Sequence, residues 1–249
     1  MKVGVRVHTH TKQVSNVVQE FSRFAHQYEK FNMIQAKVAT ELVEGLSSKR
    51  YCDVIDVGCG SGSIFKNFKK QDIVVESFIA MDSAQKMLDE HPVDTSIIKV
   101  CTNFNEETFL CTLENKKVDL CISSSALQWS KDLDFTLKRI SEISDHLHAA
   151  IFTSGTFKSL HATADVSSPI YDIDSMQKVI KKYYKDTKFT IHQYKLEFQN
   201  TREMFKYIKQ SGVSGGERRL SYKQMKQLML KYPLDYLEFE VLFVEGRNE

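Results

Sequence analysis

Two aspartates and three glycines carry the chemistry that this sequence can do. Asp56 comes just before Gly58, Gly60 and Gly62, which alternate as G-x-G-x-G, and Asp82 follows twenty residues after Gly62. Glycine has no Cβ, so backbone can approach a ligand closely and can take positive φ. A carboxylate has two acceptor oxygens and matches the two vicinal hydroxyls of a ribose. Together these residues point to a nucleotide-like cofactor held by backbone and by Asp82. A local reading competes for Asp82, because Asp82-Ser-Ala-Gln85 also has capping-box spacing at the start of a helix. The glycine loop upstream favours the ribose reading.

Counting the glycines narrows the cofactor. The dinucleotide fingerprint G-x-G-x-x-G fails, because its last position falls on Ser63. There is also no G-x-x-x-x-G-K-[ST] run, which excludes a P-loop.

These residues need a strand, a turn and a helix to position them, and the hydrophobic pattern supplies the series. Strands are expected at 52–57, 74–81, 97–101, 118–123 and 148–153. Helices are expected at about 62–70, 82–90, 133–145, and briefly between Asn105 and Leu113. The alternation predicts a doubly wound, Rossmann-like α/β sheet of about seven strands, mostly parallel, with the last strand antiparallel. Ser15 to Leu46 reads as two helices with a bend. After the core, a helix over 174–184 and a strand over 188–198 precede helices over 200–210 and 221–230, and a last strand covers 237–244. The expected organisation is one domain. It has a loose tail over 1–14, a helical arm over 15–50, a cofactor core over 51–155, and substrate-side helices with the last strands over 156–249.

Composition removes other classes. The chain has 249 residues, 34 Lys plus Arg against 32 Asp plus Glu, and a net charge of +2, which gives no whole-molecule attraction for nucleic acid. Five cysteines without a Cys-x-x-Cys read as reduced thiols of a cytoplasmic protein. No apolar run reaches the ~18 residues of a membrane span, and the first dozen residues lack the apolar core of a secretory signal. His8 and His10, and His146 and His148, lack partners for a metal site, so no metal is expected.

The motif set over Val54 to Thr153 resembles class I S-adenosylmethionine-dependent methyltransferases. The matching residues are Asp56-Val-Gly-Cys-Gly-Ser-Gly62, Asp82, Asn103-Phe-Asn105 and Asp119-Leu-Cys-Ile-Ser-Ser-Ser125. The resemblance implies that the loop, including Cys59, lies against the methionine part of S-adenosylmethionine. It implies that Asp82 holds the ribose and that Asn103 and Phe104 flank the adenine. Ser83 and Ser123 complete the expected cofactor set. That family often has Asp where Asn103 stands, and the amide oxygen can still accept from the adenine amino group.

Three further stretches are similar to the malonyl-[acyl-carrier protein] O-methyltransferase family of biotin synthesis. They are Val17 to Tyr28, Ser125-Ala-Leu-Gln-Trp129, and Gly212-Val-Ser-Gly-Gly-Glu-Arg-Arg-Leu220. Phe24, His26 and Glu29 depart from that family's pattern. The resemblance implies methyl esterification of a malonyl thioester, on acyl-carrier protein or coenzyme A. Such a carboxylate is ionised at neutral pH and is already a nucleophile, so no general base is required. Tyr28, Gln128 and Trp129 are the candidate acceptor contacts. Arg218 or Arg219 would grip the carboxylate, because a guanidinium forks onto its oxygens. A methyltransferase of the same fold acting on another small carboxylate or small molecule, and a non-catalytic cofactor-binding relative, are the alternatives. An acidic carrier could be steered by Lys178, Lys181, Lys182 and Lys185, or by the pairs Lys206 with Lys209 and Lys223 with Lys226. A monomer is expected.

Overall fold

The computed structural model describes residues 32–113, 116–210 and 222–248. The strands are β1 (Arg50–Val57), β2 (Val74–Asp82), β3 (Ile97–Cys101), β4 (Leu120–Ser124), β5 (His146–Phe152), β6 (Asp186–Glu197) and β7 (Tyr236–Arg247). They form one sheet in the order β3-β2-β1-β4-β5-β7-β6. β1 pairs in parallel with β2 and β4, as β2 does with β3 and β4 with β5. β7 runs antiparallel to both β5 and β6. The expected Rossmann-like sheet with a reversed last strand is therefore the observed one.

The helices are α1 (Met33–Glu44), α2 (Ser63–Lys70), α3 (Gln85–Glu90), α4 (Leu133–Ile143), α5 (Lys158–Ala164), α6 (Ile173–Tyr183), α7 (Thr201–Gln210) and α8 (Tyr222–Lys231). They cover both sheet faces, so the central strands must be apolar on both sides. On one face Val54, Phe78, Leu120 and Ile122 pack with Val38 and Leu42 of α1 and Phe65 and Phe68 of α2. On the other, Ile55, Val57, Ile79, Met81 and Cys121 pack with Leu137 and Ile140 of α4 and Met176 and Ile180 of α6. Side-chain caps begin the helices on that second face. Asp132 accepts from Phe135 N–H at 3.0 Å and Asp172 from Ser175 N–H at 2.8 Å. The expected Asn200 cap of α7 is present too, accepting from Glu203 N–H at 3.0 Å.

Three local expectations are corrected. The helix after β2 starts at Gln85, with Ala84 as its N-cap and no side-chain cap, so the Asp82 capping box does not form. The short helix expected after Asn105 is replaced by turns and a single 3-10 turn, Cys111–Leu113. Helix α5 stands in a stretch for which the sequence pattern predicts no element. Its seven residues, Lys158–Ala164, bury only Leu160 and are entered through Phe157 at φ 56°, so they show little periodic apolar pattern.

Candidate functional site

The chain leaves β1 for β2 on one side and later crosses to β4 on the other. This is the switch point where open α/β sheets bind ligands, at the carboxyl ends of the strands. The glycine turn is built there. Gly58 and Cys59 both donate their N–H to Met81 O, at 2.8 and 2.9 Å, which locks the turn to the end of β2. Gly58, Gly60 and Gly62 take φ of 76°, 54° and 85°. Two of them are also fixed by packing: a Cβ on Gly58 would overlap Ala126, and one on Gly62 would stand 2.8 Å from the His91 ring. The outer two glycines thus let protein elements close up, while Gly60 meets only Met87 Cε at 3.3 Å.

Asp82 is drawn into this turn. One carboxylate oxygen accepts Gly60 N–H at 2.9 Å and the other accepts Ala84 N–H at 2.8 Å. Burial raises its pKa, and the hydrogen bonds from Ala84, Gly60 and Ser83 act the other way. Each oxygen keeps a further lone pair.

Asp56 lies fully buried behind the turn, and neither of its oxygens has a hydrogen-bond partner among the described residues. Burial, reinforced by the charge of Asp82, pushes its carboxyl well above the usual carboxylate range. An unpartnered buried carboxylate is costly unless something donates to it. Its placement beside a backbone cradle, with Asp82 presenting paired acceptors, fits a ligand carrying an ammonium and a ribose. Burial, with the charges of Asp56 and Asp82, pushes the Cys59 thiol well above its ordinary range and favours its neutral form.

The loops after β3 and β4 form the next wall. Asn103 Oδ1 accepts Asn105 N–H at 3.0 Å, so the oxygen expected to meet an adenine already caps its own turn and has one lone pair left. Phe104 is half-buried against the core, with its ring edge-on to Phe109 at 6.4 Å. The Ser123 hydroxyl donates to Val57 O at 2.7 Å and ties β4 to β1. Ser83, half-buried, offers its carbonyl at 3.9 Å to the Cys101 thiol.

Past β4, Ser125 is held at φ 59° in the left-handed region, a strained state for a residue with a side chain. Leu127–Trp129 then makes a 3-10 turn. Gln128 is buried, donates to Ser125 O at 2.6 Å, and leaves its Oε1 without a partner among the described residues. The fold therefore gathers Asp56, the glycines, Cys59, Asp82, Ser83, Asn103, Phe104, Ser123, Gln128 and Trp129 at one end of the sheet. Tyr28, Arg218 and Arg219 lie outside the described residues.

Two of the lysines of α6 are engaged away from the glycine turn. Lys182 is paired with Asp134 at 2.7 Å and Lys181 stands over the Phe189 ring. Lys185 precedes β6, whose first residue pairs with Arg247, itself opposite the first residue of β5. That is the rim opposite the glycine turn. Nothing in the sequence singled out a pocket of about 200 Å³ at the β5–β7–β6 end of the site rim, lined by Gly155, Lys158, Tyr194, Lys195 and Glu240 among others.

Known proteins share this fold. The YcgJ protein of Bacillus subtilis superposes with a TM-score of 0.61 at 12% identity, covering 86% of this chain and 99% of that one. The plantazolicin methyltransferase BpumL, in complex with a desmethyl analogue and SAH, gives 0.52 at 13% identity, with 93% and 95% covered. Residues 55–145 match the family described as "Methyltransferase domain". Residues 55–145 are thus a methyltransferase domain, and with the sheet described above they make the chain an S-adenosylmethionine-dependent methyltransferase. Over most of its length it is similar to the malonyl-[acyl-carrier protein] O-methyltransferase of Acinetobacter baylyi, at 23% identity with 91% of this chain and 89% of that protein covered. The enzyme of the same name from Ilyobacter polytropus is 25% identical, with 85% and 84% covered.

Proposed function

We propose that this enzyme methylates the free carboxylate of a malonyl thioester, carried by acyl-carrier protein or coenzyme A, in the early branch of biotin synthesis. The observation that carries the reading is the reach of the likeness to the Acinetobacter enzyme. It covers 91% of the chain and so extends well beyond the matched methyltransferase domain. The protein would act in the cytoplasm as a monomeric single domain, with residues 156–249 on the acceptor side.

Bound S-adenosylmethionine supplies an electrophilic methyl group. The chain must then hold an ionised carboxylate in line with that methyl and keep water out. In this reading Asp82 takes the ribose hydroxyls, Asp56 and the glycine turn take the methionine end, and Asn103, Phe104 and Ser83 border the adenine. Gln128, with its unpartnered buried Oε1, and Trp129 border the acceptor. Tyr28 and one of Arg218 and Arg219 complete the acceptor contacts. One carboxylate oxygen held by the arginine and one left free is the useful geometry.

The test is methyl transfer to malonyl-acyl-carrier protein beside malonyl-coenzyme A, free malonate and other small acids such as aconitate. Transfer to the thioesters is expected. Transfer to a free acid alone would replace this reading with that of a small-acid methyltransferase. Arg219→Ala should raise the acceptor KM and leave cofactor affinity nearly unchanged.

A further inference from the structure

The loops after β3 and β4 are clasped together by one side chain. Asn105 Oδ1 accepts Lys131 N–H at 2.7 Å, and its Nδ2 donates to Trp129 O at 3.3 Å. Both ends of one planar amide are thus used on the acceptor-side loop, from a residue two positions past Asn103. A second tie lies behind it. The fully buried Thr136 places Oγ1 2.8 Å from Ser130 Oγ and 3.3 Å from Phe104 O. The contacts continue outward, because Tyr171 Oη donates to Lys131 O at 3.1 Å and Ser154 N–H donates to Tyr171 O at 2.9 Å. The loops after β3, β4 and β5 are therefore joined in sequence along the rim.

We propose that Asn105 is a positioning residue that transmits cofactor occupancy to the acceptor side. Seating the cofactor against the loop after β3 sets the backbone of Trp129 and Lys131 through the amide clasp. The Gln128–Trp129 turn is in this way aligned by the first ligand for the second. The chemistry of the clasp demands an amide. A carboxylate at 105 would keep the bond to Lys131 N–H but would set an oxygen against the Trp129 carbonyl oxygen. The inference rests on the assignment of the loop after β3 to the adenine.

Trp129 is the only tryptophan, so its fluorescence reports this turn directly. S-adenosylhomocysteine is titrated into the wild type and into Asn105→Asp, with affinity measured by calorimetry and folding by thermal melting. In the wild type a saturable change in Trp129 emission is expected, with a midpoint at the calorimetric Kd. In Asn105→Asp the Kd should stay within about five-fold, the lower end of typical coupling effects, while the emission change is largely lost. If that variant does not fold, Asn105→Ser, which drops both amide bonds, is read in its place. A variant that keeps the full emission change overturns the proposal, as does one that loses emission change, affinity and melting temperature together. A wild type that binds with no change in emission also overturns it. Failure of the wild type to bind at all overturns the cofactor assignment instead, and the proposal with it.

Discussion

Gly58 and Ala126 touch so closely that the α-carbon of one lies where the methyl of the other leaves no room for a Cβ. This contact joins the turn after β1 to the chain leaving β4. Gly58→Ala adds the overlap to the strain of positive φ, each worth about 1–3 kcal/mol. For a protein of this size about 1 kcal/mol shifts Tm by roughly 2–4 °C. The double variant Gly58→Ala/Ala126→Gly should recover the overlap part of the loss and not the φ part. Thermal melting of the four proteins of this cycle checks it.

Asp82→Asn should be more damaging than its small volume change suggests. Both carboxylate oxygens accept backbone N–H groups, and an amide would turn a donor toward one of them. Loss of one hydrogen bond to a charged acceptor costs about 1.5–3 kcal/mol. Cofactor Kd should rise roughly ten- to hundred-fold, as read by calorimetry.

Asp56 sets a pH dependence on the cofactor-free enzyme. Its folded pKa is raised, so the folded state keeps a proton that the unfolded chain releases. Stability is then highest below the ordinary carboxylate value of 3.8 and falls as pH climbs through the raised folded value. Asp56→Asn should raise Tm at pH 8 and lose that advantage toward pH 4. The same variant should weaken cofactor binding by about ten-fold through the lost charge.

The histidines of β5 act with the opposite sign. Burial, with the nearby charges of Arg247 and His148, lowers His146 to about 4. Burial also lowers His148, whose Nε2 lies 2.8 Å from Leu42 O and ties β5 to α1. Stability present above the ordinary value of 6.5 is lost as pH falls from there through about 4. Melting curves between pH 7 and 4.5 should fall less steeply for His146→Gln than for the wild type.

The sequence displayed the parts of this enzyme that depend on short-range pattern. β3 begins at Ile97 and ends at Cys101 as expected, and the glycine turn sits where its residues placed it. Asp82 shows why capping rules mislead at a site. Its spacing to Gln85 is that of a cap, yet its carboxylate turns back to Gly60, a partner supplied by the fold. Asn105 was visible within Asn103-Phe-Asn105, but its partners, Trp129 and Lys131, lie some two dozen residues onward and become neighbours only when β4 takes its place beside β1. The α6 lysines show the same limit of local pattern. Helical spacing aligned them on one face and said nothing of which rim that face would reach.

The reversal of β7 bears on where the chain can change in length. Because β6 ends and β7 begins at the rim that bears the glycine turn, the chain between Glu197 and Tyr236 leaves and re-enters the sheet at that rim. Glu197 and Tyr236, the two ends of that connection, are paired directly with each other. Residues added to or removed from that connection would leave the β6–β7 register untouched, so changes in its length should cost the sheet little.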